Sequence, residues 1–143
     1  MIRTLFVMVV AISLALVSCA KTDQPVDPVW GKQPCAHCSM LVSDKRFAAQ
    51  LVTTGGDRHY FDDIGCMVLW AHEHAGAPKL EWVRDAQGRW IDAKAARYAK
   101  GARTPMDYGF EPSDGGEASW SDVERSVLER DKAEKGAEKG AKP

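Results

Sequence analysis

Two thiols, an imidazole and a thioether fall within six consecutive positions, Cys35-Ala36-His37-Cys38-Ser39-Met40. Thiolate and thioether sulfurs are soft, polarizable donors. Together they select Cu(I) over hard ions, and the thioether disfavours Zn(II), which prefers thiolate and imidazole. Cys38 and Met40 carry side chains on the same side of an extended loop, so both can reach one ion. Cu(I) is d¹⁰ and tolerates low coordination numbers; two or three such donors suffice and leave an edge open for transfer. Three other readings stay open. Cys35 and Cys38 could be a redox pair, although such a motif normally opens a helix after a buried strand and here a Pro-bearing segment precedes it. They could form a static disulfide. They could also be half of a zinc site completed by Cys66 or by His72 and His74, in a chain that lacks the second Cys-x-x-Cys of a zinc ribbon.

The remaining donors are dispersed. Met106, in Thr104-Pro105-Met106-Asp107, is a thioether in a Pro-bearing loop with little packing rationale, which makes it a candidate third ligand. His59, beside Tyr60 in an extended stretch, is another, with an ordinary surface or core role as the simpler alternative. His72 and His74 lie roughly 200° apart around a helix and cannot face one ion; they read as solvated helix-end residues favoured by the macrodipole. Cys66 and Met67 fall inside an amphipathic helix, where packing is the simpler reading. No GxSxG, P-loop, GxGxxG or HExxH pattern is present, and Asp62-Asp63 read as a helix cap. An enzyme is therefore not expected.

These residues need a scaffold. Arg46 to Thr53 alternates in the period of a strand, Thr54-Gly55-Gly56-Asp57 supplies a turn, and Arg58 to Phe61 runs back as the second strand of a hairpin. Asp62 or Asp63 then caps a helix bearing Ile64, Met67, Val68, Ala71 and Ala75 at helical spacing, stopped by Gly76 and Pro78. Leu80 to Arg84 follows as a strand, and a Gly-containing turn leads to Trp90-Ile91-Asp92, which spells a ββαβ unit. The second half is sparser: a strand at Arg97 to Lys100, a loop at Arg103 to Gly109, and a helix opened by Ser121-Asp122-Val123-Glu124 with Val123, Val127 and Leu128 on one side. The expected fold is α+β, one small domain of tandem ββαβ units with the second unit short.

The 143 residues carry a net charge of -1, which gives no basic footprint and argues against nucleic-acid binding. Leu5 to Val17 is apolar except for Ser13, too short to span a bilayer and suited to a secretory h-region behind Arg3. Leu16-Val17-Ser18-Cys19 closes it as a lipobox, so residues 1–18 read as a lipoprotein signal peptide and Cys19 as the lipidated first residue. Ala20 in place of Asp favours outer-membrane sorting. The three other cysteines would then sit in an exported, oxidising compartment where structural cysteines usually pair, so their odd number needs a use. Residues 19–33, with Pro25 and Pro28 and with Pro34 following, read as a tether, 34–130 as the domain, and 131–143, an Ala-Glu-Lys-Gly repeat without large apolar residues, as a disordered tail.

Cys19, Cys35-x-x-Cys38-x-Met40, Tyr60-Phe61-Asp62-Asp63-Ile64-Gly65-Cys66-Met67, Trp90-Ile91-Asp92-Ala93 and Pro105-Met106 occur in that order, and the series resembles the NosL family of nitrous oxide reductase accessory lipoproteins. The resemblance covers roughly residues 34 to 110. It implies a periplasmic, lipid-anchored Cu(I) metallochaperone that supplies copper to nitrous oxide reductase or another periplasmic copper enzyme. The family's Cys-Gly-Met triplet falls on Cys38, Ser39 and Met40, with Ser in place of Gly, and its Pro-Met on Met106; the pattern gives Cys66 no ligand role. The metal set expected on this basis is Cys38 and Met40, with a third donor from Cys35, Met106 or His59.

Overall fold

The computed structural model describes residues 23–140. The expected signal peptide, residues 1–18, and the expected lipidation site, Cys19, lie outside the described residues. Strand β1 (Ala49–Thr53) is one of the two inner strands of a four-stranded antiparallel sheet, between β2 (Arg58–Phe61) and β3 (Pro78–Arg84), with β4 (Trp90–Asp92) outside β3. The hairpin expected from Gly55-Gly56 is present, and Gly56 takes a φ of 91° that a side chain would resist. Cross-strand partners share a face, so Ala49, Phe61 and Val83 line one side of the sheet while Gln50, Tyr60 and Trp82 line the other.

Helix α1 (Ile64–Glu73) covers the first face. Asp63 is its cap, accepting the Gly65 amide at 2.8 Å, and the run from Ile64 through Trp70 is buried. Trp70 lies with its ring centroid 6.1 Å from that of Phe61, which fixes the helix on that side.

The second face is covered by chain rather than helix. Residues 23–33, expected as a tether, lie across it as a strap: the Val26 amide donates to Gln50 Oε1 at 3.1 Å, and Asp27 accepts from Arg84 and from the Trp90 indole, each at 2.7 Å. This is why all five residues of β1 are buried instead of alternating. Residues 23–33 are therefore held on the sheet rather than free.

The second half contains β5 (Tyr98–Lys100) paired antiparallel with β6 (Phe110–Pro112), then α2 (Trp120–Gly140) packed on α1 through Val123, Val127 and Leu128. The α+β class expected from sequence holds. The second half follows the order ββα, with no closing strand after α2 among the described residues, so it does not repeat the first. The N-terminal cap of α2 sits two residues earlier than Ser121-x-x-Glu124: Ser119 and Asp122 exchange bonds, Ser119 N to Asp122 Oδ2 at 2.9 Å and Asp122 N to Ser119 Oγ at 3.3 Å. An aspartate three residues after the serine serves as well as glutamate.

From residue 131 the structure differs from the expected disordered tail. The helix runs to Gly140 with its last residues exposed, carried by strong helix formers and by Arg130–Glu134 and Lys135–Asp131 pairs one turn apart. Solvation was legible in the composition; helicity needed no core.

Candidate metal centre

The loop from Pro34 to Val42 is a tight antiparallel turn. Cys35 N donates to Met40 O at 2.7 Å, Val42 N to Gln33 O at 2.8 Å, and Ser39 N back to Cys35 O at 3.0 Å. Closing it requires a left-handed residue, and Ser39 takes that role with φ 66°. The serine thus adopts the conformation a glycine would reach at lower cost. The Ala36 amide fastens the loop to β2 through Tyr60 O at 2.9 Å.

This fastening puts the loop against the first turn of α1, where Cys66 is the third helical residue. The sulfurs of Cys35, Cys38 and Cys66 all lie within 4.8 Å of one another, and all three cysteines are free. Such a group could hold a metal ion. Cys35 and Cys66 are buried and Cys38 is partly exposed, so the trio has an inner floor and an outer edge.

The electrostatics of the three differ. Hydrogen bonding from the Cys66 thiol, helped by the amides of Cys38, Asp62 and His37, holds the Cys35 thiol down at about 5 despite burial. Cys66 is pushed up, first by donating to Cys35 and then by burial. Cys38 is pushed up by burial and by its neighbour Cys35, with the Met40 amide working the other way. Negative charge is therefore favoured on the buried Cys35 sulfur, with the Cys66 thiol as its donor, and disfavoured on Cys38. The carboxyl of Asp62, buried near Cys35, is raised by that burial and by the Cys35 charge, while its Oδ1 accepts from Ser43 N at 3.2 Å.

The residues expected as ligands are distributed unevenly. Cys35 and Cys38 are brought together. Met40 follows in the same loop and is 49% exposed. Met106 is half-buried against the core, and its amide donates at 3.0 Å to Oδ2 of Asp63, the carboxylate that caps α1. His59 points to the helix side of β2, its ring centroid 4.4 Å from that of Trp70, and burial lowers its pKa. Among the described residues no imidazole or carboxylate joins the three sulfurs. His72 and His74 are exposed, His74 stacking on Trp70 at 4.0 Å, and His37 faces Glu73 at 3.7 Å.

Cys66, which the sequence places most simply in packing and otherwise in a zinc site with Cys35 and Cys38, is the third member of the cluster. The signal for it was weak: an odd third cysteine, placed three residues after the cap, where a helix N-terminus favours negative charge. Its neighbour Gly65 is needed for space, because a Cβ there would lie 2.1 Å from Tyr108 Cγ. Comparison with protein-family models, characterised proteins and solved structures finds no match to this chain.

Proposed function

We propose that this protein is a Cu(I) metallochaperone, with copper as its cargo. The observation that carries the reading is the sulfur-only trio of Cys35, Cys38 and Cys66, with the Met40 thioether following on the exposed side. Two or three sulfurs satisfy Cu(I), whereas a structural Zn(II) site asks for four donors and commonly includes imidazole. The half-exposed edge at Cys38 and Met40 suits ligand exchange with a partner. A thiol oxidoreductase is less well served: it needs its reactive thiolate at the surface, while here the low-pKa sulfur is buried and the accessible one is held protonated.

In this reading Cys19 carries lipid and holds the domain on the periplasmic side of a membrane, the outer membrane by its Ala20. The acceptor is nitrous oxide reductase or another periplasmic copper enzyme, a choice supported by the ordered motifs from Cys35 to Met106. Binding needs deprotonated sulfur, so affinity rises with pH.

The test is a competition titration of the reduced protein with Cu(I) against a Cu(I)-specific chelator, with Zn(II) in parallel. One tight equivalent of Cu(I) is expected, weakened in Cys38→Ala, Cys66→Ala and Met40→Ala. Preference for Zn(II), or unchanged affinity in Cys38→Ala, overturns the reading.

A further inference from the structure

The exposed large apolar side chains of the described residues are Val26, Val29, Met40 and Leu41, and all four lie on the strap or the cysteine loop that continues it. Val29 is 61% exposed and Leu41 51%. The segments that carry Val29 and Leu41 are neighbours in the fold. Lys32 and Gln33 donate to Val29 O, Gly31 donates to Val42 O, and Pro34 bridges Leu41, so strap and loop form one short ladder. Trp30 lies between them, half-buried, with Lys45 Nζ 5.4 Å from its ring centroid. Aliphatic tips beside a tryptophan and lysines are the composition of a surface that meets the headgroup boundary of a bilayer.

We propose that the part of this surface formed by Val26, Val29 and Leu41 rests on the lipid surface to which Cys19 is anchored, leaving Met40 and Cys38 open to the partner. The inference rests on the lipid-anchor part of the proposed function and not on its metal. Chain reach selects lipid over an acceptor protein as the occupant. Cys19 precedes Asp23 by four residues, so the strap begins within about 15 Å of the anchored residue, and Val26 lies within about 25 Å. At that tether length the bilayer is presented at high local concentration, and a contact too weak to recruit a free protein is occupied. The cysteine loop is then held beside the membrane surface, and Cys38 is reached along it.

The experiment uses the full lipid-modified protein in phosphatidylcholine vesicles whose acyl chains carry bromine, a contact quencher of indole fluorescence. The emission of Trp30, taken as the difference between the protein and its Trp30→Phe variant, loses most of its intensity. In a Val26→Asp/Val29→Asp variant, changed only at exposed positions, that loss disappears while Cu(I) affinity stays as it was. Undiminished Trp30 emission in the unmodified sequence overturns the proposal, as does a Cys19 without acyl mass. Quenching with no Cu(I) affinity leaves the lipid face standing and removes the chaperone reading instead.

Discussion

Removing the Cys66 sulfur tests the electrostatic account of the trio directly. In Cys66→Ala the Cys35 sulfur loses its largest stabilising partner and keeps the amides of Cys38, Asp62 and His37. A hydrogen bond to a charged group is worth about 1.5–3 kcal/mol, which is roughly 1–2 pH units. The Cys35 midpoint should therefore rise from about 5 to roughly 6–7. Ultraviolet absorbance of the thiolate, followed against pH in the reduced, metal-free protein, reads it. Cys66→Ser keeps a donor and should stay nearer the parent value. The sign for stability follows from linkage. The native pKa lies below the unfolded thiol's ~8.5, so this contribution is fully present above ~8.5 and is lost as pH falls through about 5. Denaturant unfolding at several pH values, compared with Cys35→Ala, should show stability rising with pH in that window, and a smaller rise in Cys66→Ala. A Cys35 midpoint identical in Cys66→Ala and the parent refutes the reasoning.

Four further substitutions probe the scaffold. Gly65→Ala drives a Cβ to 2.1 Å from the Tyr108 ring, so overpacking should cost about 1–3 kcal/mol by denaturant unfolding and weaken Cu(I) binding through the adjacent Cys66. A fully stable Gly65→Ala protein would show that Tyr108 moves freely. Ser39→Gly, at φ 66°, should gain up to about 1 kcal/mol with the metal set intact. Calorimetry that finds it destabilised would contradict the left-handed turn. Ser119→Ala removes the cap of α2 and should cost about 1 kcal/mol, whereas Ser121→Ala should cost less; the reverse order would return the cap to Ser121.

The first half of the fold was legible because its signals are local. A two-glycine turn, an aspartate cap and the spacing of Ile64, Met67, Val68 and Ala71 each name an element within a few residues. β6 was not legible: Phe110-Glu111-Pro112 is three residues long and holds a proline, and only pairing with Tyr98–Lys100 makes it a strand. The strap was hidden for a similar reason. Asp27 reads as a loop residue until Arg84 and Trp90 arrive from the sheet. At the cysteine cluster, Cys35 and Cys38 were visible as neighbours in sequence, but Cys66 joins them only through the contact between β2 and the loop. A helical periodicity records which face is buried and not which sulfur lies across from it.

Asp63 divides its two oxygens between chain segments of very different separation, Gly65 two residues away and Met106 forty-three away. The two bonds close chain loops of unequal length, and ordering the longer one costs more chain entropy. The start of α1, which carries Cys66, is thus held by the local chain and by the second half together. Loosening the loop around Met106 removes one of the two bonds that fix Asp63, three residues before one of the three clustered sulfurs.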